Sequence, residues 1–467
     1  MTDMALPGEE PVAPSASAAD AAKAWPRPAY AWYVVVVLLM AYGFAVLDRT
    51  AIGLLVDSIK SDLQITDSQI GLLQGLAFAI CYTTCGIPLG FLADRWRRTP
   101  LLAIGIAVWS AATVLCGAAR SFGMLFLARV GVGVGEASVT PTSISLIADY
   151  FPPERRAKAF SVWMLGSSLG TGMAMLFAAG AISLSDHLHA TGVAWAEHLK
   201  TWQITFFLIG APGLLVSLVF ALTVREPARR GVSLAADGSP PATGVSLKPL
   251  WAVMKANKRA YLALIGGPVL NVTAIYAQIG WMPALFMRVH DWGPAKYGTV
   301  NGLISVPVAM CGAIVAGWTM SYLTSKGRND APILMAMGDA VVRLLIGTAA
   351  CLAPRPEIAL ALMVVASVTS TWSYASAMTG LSQITPNELR GQVAALYTLC
   401  TGLISMTLGS FIVGFLSDQV FQGPTGVAAS LATTYAGCSV LALLVLIPGR
   451  KFYAVAEQRI RSAEQAA

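Results

Sequence analysis

Charged side chains are scarce in this sequence. Asp, Glu, Lys and Arg make up 12% of its 467 residues and hydrophobic residues 56%, whereas soluble domains are about a quarter charged. A soluble fold of that make-up would precipitate. Histidine is scarcer still: the four (His187, His189, His198, His290) fall in predicted external segments. The apolar segments hold no HExxH run, no Ser/His/Asp set and no metal-ligand cluster, so neither an enzyme, a metal nor a cofactor is expected. Cysteine is missing from the external loops. All seven (Cys81, Cys85, Cys116, Cys311, Cys351, Cys400, Cys438) lie inside apolar stretches, which argues against structural disulfides. Cys81 and Cys85 share a helix face at i,i+4 but have no histidine or acid beside them, so they read as small-residue packing.

What the chain does contain is apolar length. A membrane helix needs roughly 20 mostly apolar residues, and twelve such windows run from residue 30 to residue 449. They predict an all-α membrane protein. Most of the 31 Lys and Arg residues fall in the loops on one side if both termini are cytoplasmic, as the positive-inside rule requires. The net charge of +7 is then a signal of topology and not of nucleic-acid binding. Residues 1–28 lack a basic start followed by an apolar core and read as a disordered cytoplasmic tail rather than a signal peptide. The longest polar interruption, 224–258, is the expected cytoplasmic linker between six-helix halves at 29–223 and 259–449, with 450–467 as a second cytoplasmic tail.

The halves repeat. Gly71, Gly75 and Gly90 recur as Gly298, Gly302 and Gly317 at an offset of 227, and FPPERRAKAFSVW recurs as TPNELRGQVAALY at an offset near 234, which aligns Arg156 with Arg390 and Pro153 loosely with Pro386. Duplicated six-span halves in one orientation imply a pseudo-two-fold axis along the membrane normal.

At the end of the second window, GFLADRWRRTP resembles the G-x-L-A-D-R-x-G-R-R signature of the major facilitator superfamily through Gly90, Leu92, Asp94, Arg95 and Arg98, with Arg97 where the signature has glycine. The resemblance implies that Asp94, Arg95 and Arg98 are gating residues that latch the halves on the cytoplasmic side. In the second half Ser321 stands where Asp94 would be. FLARVGVGVGEAS resembles the family's R-x-x-x-G-x-G run through Arg129, Gly133 and Gly135, followed by Glu136. Together with LDRTAIGLLVDSIKSDLQIT in span 1, this stretch is similar to the Spinster-like branch, whose members move lysolipids and sphingoid lipids. Organic-anion symporters carry a related Asp-Arg pair and G-x-x-E-A run. Gly166, Gly170 and Gly172 form a glycine series on span 5, but Thr171 stands where the family's antiporter signature has proline.

Four charges lie within these spans: Asp48, Arg49, Arg129 and Glu136. At 1.5 Å per residue, Asp48 and Arg129 each lie about 12 Å from the outer side and Glu136 about 22 Å. Arg129 and Glu136, seven residues apart, share a face that is otherwise glycine and small residues, with room for water or a partner helix. A charge at the bilayer centre costs about 2.5–3.5 kcal/mol on insertion scales, so the four must face one another or water. Two readings fit: a static ion-pair cluster, or a relay. In a relay, Asp48, Glu136 and Arg129 couple to protons, because burial favours the neutral acid while a nearby arginine favours the carboxylate. Arg49 then holds an anionic head group.

The second half lacks this set. It offers Asn271, Thr273, Tyr276, Gln278 and Trp281 on span 7, with Ser370, Trp372 and Tyr374 on span 10, as a substrate wall or as interhelical packing. Asp339 and Arg343, at i,i+4 on span 9, read as a local structural pair. The resemblance thus implies a monomeric carrier in the cell membrane, of a bacterial inner-membrane type, that moves protons with amphipathic anionic lipids. The alternatives are a proton symporter of small organic anions and a transporter-like receptor.

Overall fold

The computed structural model describes residues 25–194, 196–230, 248–423 and 425–466. Among them, twelve helices are long and apolar enough to cross a membrane. Spans 1 to 6 are Pro28–Leu54, Asp67–Arg95, Arg98–Gly117, Phe122–Tyr150, Pro153–Ala190 and Thr201–Thr223. Spans 7 to 12 are Lys258–His290, Pro294–Ser325, Ala331–Cys351, Pro356–Gln383, Asn387–Gln419 and Gly426–Ile460. No strand occurs among the described residues. Most of the expected tail at 1–28 and the middle of the linker lie outside the described residues, but Lys248–Ala256 is helical. Residues 450–466, expected as a tail, continue the last helix, which runs without a break from Gly426 to Ala466.

Local sequence explains the ends. Thr66 caps span 2 by accepting the Gln69 amide at 3.2 Å, and the Gln69 side chain accepts the Thr66 amide at 2.9 Å, a reciprocal box that satisfies two otherwise orphan donors. Pro152 and Pro386 precede the helices of spans 5 and 11 in extended conformation. Both turns are closed by the same bond: Arg156 Nε donates to the Phe151 carbonyl at 3.0 Å and Arg390 Nε to the Thr385 carbonyl at 3.2 Å. The repeat is therefore built into the turns, and the partner of Pro386 is Pro152 rather than Pro153.

Within the first half, span 1 packs on span 5, and span 3 on spans 4 and 6; in the second half, span 7 packs on spans 11 and 12. Between the halves, span 2 meets span 11 and span 5 meets span 8. The duplicated glycines explain these two contacts. A Cβ at Gly71 would lie 2.6 Å from the Ser410 carbonyl oxygen, and one at Gly75 2.9 Å from that of Met406. The symmetry-related contact is the same: a Cβ at Gly298 would lie 3.1 Å from the Met175 oxygen, and one at Gly302 2.8 Å from that of Gly172. Only glycine lets these backbones approach so closely. The third repeated pair is not engaged, since Gly90 would meet nothing closer than Pro141 at 3.9 Å and Gly317 nothing within 4 Å. The halves thus touch at the end of the molecule remote from the chain termini and, among the described residues, stand apart at the repeated glycines toward the other.

Replacing Gly75 with Leu should wedge span 2 from span 11. Spin labels at the exposed Ser61 and Gln422, one on each half at the closed end, should then report a longer distance than in the parent; an unchanged distance would mean that the contact does not set the closure.

Candidate functional site

Span 1 carries Asp48 and Arg49 on adjoining faces. Arg49 reaches across to span 4, where its Nε and Nη2 both lie 2.6 Å from Glu136 Oε2. Glu136 is fully buried, while the Arg49 side chain keeps 22% of its surface. The Arg49 guanidinium sits 4.5 Å from the Tyr82 ring centroid and 4.7 Å from that of Phe78, and Tyr42 and Tyr276 lie close to its charge. A cation on aromatic faces gains about 0.5–2 kcal/mol, more where water is excluded. Arg129 is buried with its guanidinium 5.7 Å from the Phe78 ring centroid, and its Nη1 donates to the main-chain carbonyl of Asp48 at 3.1 Å.

Arg129 reaches span 1 at Asp48, but the pairing differs from the one expected. Arg129 bonds the backbone at Asp48, and Glu136 belongs to Arg49. Asp48 Oδ1, Glu136 Oε1, and Nε and Nη2 of Arg129 have no hydrogen-bond partner among the described residues. The small-residue face of span 4 is filled by partner helices: Gly133 abuts the Phe78 carbonyl on span 2, and Gly135 abuts Gly105 and Trp109 on span 3.

The second-half wall divides in two. Asn271 is buried and donates to the Ala336 carbonyl at 3.0 Å and to Ser373 Oγ at 2.8 Å, cross-linking spans 7, 9 and 10 away from the cavity. Trp281 is buried, with its Nε1 donating to the Ser410 carbonyl at 2.8 Å. Thr273 bonds its own helix at the Val269 carbonyl, and Trp372 packs on Gly338. Asn271, Trp281 and Trp372 thus hold helices together, and Thr273 bonds only within span 7. Tyr276 is half-buried within reach of the Arg49 charge, and Tyr374, 53% exposed, sets its ring 6.1 Å from that of Tyr397. Gln278 donates to Ser367 Oγ at 3.2 Å and, with Ser370, lines a cavity of about 360 Å³ between spans 5, 7, 8 and 10. The sequence reading missed Tyr42, Phe78 and Tyr82, although Tyr42 precedes Arg49 by seven residues, on the same face.

The gating residues also stand differently from expectation. Buried Arg98 bonds Asp149, Glu226 at 2.8 Å, Ser145 Oγ at 3.2 Å and the Pro227 carbonyl at 3.0 Å, all in the first half or at the start of the linker. The Asp94 carbonyl accepts from Arg229, which also bonds the Ala93 and Trp96 carbonyls at 2.8 and 2.6 Å. Arg98 therefore ties span 3 to span 4 and to the chain leaving span 6. An ionic contact between the halves lies at the opposite end. There Asp67 accepts from Arg288 at 2.7 and 2.9 Å, from Lys60 at 2.7 Å and from Ser417 at 2.9 Å. Arg288 also bonds Asp57 at 2.7 Å, and Asp418 accepts the amides of Asp67 and Ser68 at 3.1 and 2.7 Å. Asp339 and Arg343 form the expected buried pair at 3.0 Å, with Thr369 and Ser373 hydroxyls donating to the same carboxylate at 2.8 and 2.6 Å.

Comparison with known proteins agrees with this architecture. The Major Facilitator Superfamily's sequence model matches residues 38–342. The chain is 25% identical to an MFS-type efflux pump of Mycolicibacterium smegmatis, over 84% of this chain and 86% of that one. It is also 25% identical to Protein spinster of Drosophila melanogaster, over 69% of this chain and about half (51%) of that protein. It is 24% identical to a D-galactonate transporter of Escherichia coli, over 88% and 95%. Among solved structures, a bacterial homologue of the human lysosomal transporter Spinster, in an inward-facing and unoccupied conformation, superposes with a TM-score of 0.76 at 26% identity, covering 93% of this chain and 98% of that one.

The chain belongs to the major facilitator superfamily, whose members are secondary transporters and not enzymes. Within it, this protein is a Spinster-like integral membrane protein.

The Arg98 anchor makes a pH-dependent prediction. Burial works against the charge of Glu226, but the Thr99 amide and the Arg98 guanidinium outweigh it and hold its carboxyl below the usual range. A carboxyl depressed on folding contributes stability that is present above its unfolded pKa and lost as pH falls through the lower folded one. Glu226→Gln should therefore cost about 1–3 kcal/mol at neutral pH, read as a lower melting temperature in detergent, with the gap to the parent narrowing only in acid.

Proposed function

We propose that this protein is a proton-coupled, alternating-access carrier of amphipathic anionic lipids such as lysophospholipids or sphingoid phosphates. It works as a monomer in the cell membrane, with both termini cytoplasmic. On that orientation the sealed end is the outer one and the cavity opens inward. The observation that carries the reading is the Arg49–Glu136 pair set against the rings of Phe78 and Tyr82. A proton taken up by Glu136 removes the negative partner of Arg49, and the freed guanidinium accepts an anionic head group. Loss of the substrate lets Arg49 return as Glu136 gives up its proton. Asp48 and Arg129 adjoin this exchange and supply a second carboxylate for it. Tyr276, Tyr374, Gln278 and Ser370 give the substrate tail a surface that is aromatic with a few polar points.

The similarity to a D-galactonate transporter over 88% of the chain favours a second reading, a proton symporter of small organic anions. Flux into liposomes holding the protein alone, under an imposed pH gradient and across a panel of lysolipids and sugar acids, separates the two.

Asp48→Asn and Glu136→Gln should each abolish gradient-driven flux while leaving a folded, membrane-inserted protein; wild-type pH dependence in both variants would overturn the coupling scheme. For a lipid substrate, four added carbons should tighten binding by roughly 3 kcal/mol, about a hundredfold, at about 0.8 kcal/mol per buried methylene. Arg49→Ala should weaken all chain lengths by a similar factor. Affinity that does not depend on chain length, measured below the micelle concentration, would favour the organic-anion reading.

A further inference from the structure

Beyond the transport cavity, the molecule has an apolar groove of about 590 Å³ on its second half. Its floor is span 7 (Leu262, Ile265) and span 11 (Leu396, Ile404), and its rim is the short helix Lys248–Ala256, through Trp251 and Met254. Every lining residue falls between Trp251 and Ile404, so the groove belongs to one half and does not include the Arg49 site. The rim helix is amphipathic: Leu250 is buried in the second-half core, while Trp251 is 61% exposed. Leu262 is also 61% exposed and Ile404 43%, leaving an unpaired greasy channel. At its mouth stand Lys255 and Lys258, both exposed and neither in an ion pair with a described residue.

An interfacial helix with tryptophan on its apolar side and lysines beside it is built to lie at the level of lipid head groups. Two unpaired cations above an apolar channel complement one ligand chemistry, a negatively charged head on an acyl chain. We propose that this groove is a binding site for one anionic membrane phospholipid, its chain between spans 7 and 11 and its phosphate at Lys255 and Lys258. A lipid held there bridges the linker helix and both spans, and so fixes the linker to the half that it leads into.

The test uses full-length protein in phosphatidylcholine vesicles containing increasing fractions of brominated phosphatidylglycerol or brominated phosphatidylcholine. Bromine quenches tryptophan on contact. The chain has 12 tryptophans, so the signal of Trp251 is taken as the difference between the parent and Trp251→Phe. Half-maximal quenching of Trp251 is expected at a severalfold lower fraction of brominated phosphatidylglycerol than of brominated phosphatidylcholine. Each lysine near the surface contributes about fivefold to attraction for an anionic lipid, so the double variant Lys255→Gln, Lys258→Gln should lose most of that preference. Equal quenching by the two lipids, or a preference unchanged in the double variant, would overturn the proposal. Relief of quenching by soluble glycerol phosphate would also overturn it, because the site would then be one for small anions and not for a lipid.

Discussion

The carboxylate of Asp67 joins the halves at the closed end. It accepts two bonds from Arg288, one from Lys60 and one from Ser417, while the amide beside it is held by Asp418. Charge-assisted bonds of this kind are about twice as strong as neutral ones. They lie directly beyond the glycine-backed contacts of spans 2 and 11, so electrostatics and close packing seal the same end. The separation at the other end, the open surface around Tyr374 and the partial exposure of Arg49 all follow from that seal.

Inside, the constraint is the cost of burying charge. Four ionisable groups are gathered here: Arg49 holds Glu136 and lies against two aromatic faces, and Arg129 holds the backbone at Asp48. Well-packed apolar residues would hold the same helices at least as firmly, so holding helices together does not by itself account for four charges here. Asp339 and Arg343 differ in that Thr369 and Ser373 complete the carboxylate's bonds, which pins span 9 to span 10.

Composition and charge distribution were enough to read twelve spans, two halves and the four buried charges. Repeated residues were legible for a physical reason: glycines at close backbone crossings and arginines closing a turn cannot drift without loss of the contact. The pairing of Arg49 with Glu136 was not legible, because it depends on how far span 4 rotates once Gly133 and Gly135 let it settle against its neighbours. Asn271 and Trp281 were misplaced on the cavity wall because a helix that is apolar nearly all round does not announce which side is buried. The seal at the closed end escaped notice because Asp57 and Asp67 stand hundreds of residues from Arg288 and Asp418, all at helix ends and each looking like an ordinary loop charge.

The last helix has a mechanical consequence. Its 41 residues extend about 60 Å, twice the roughly 30 Å thickness of the hydrocarbon layer. The part that outruns the bilayer is strapped down: Arg450 bonds Asp330 ahead of span 9, Tyr453 bonds Gln383 at the end of span 10, and Arg459 bonds Asn257 ahead of span 7. These ties make it a splint across three helix ends. The three helix ends are thereby held at fixed spacing by one helix, and the geometry of that edge is set by the length of the splint rather than by the give of the individual loops.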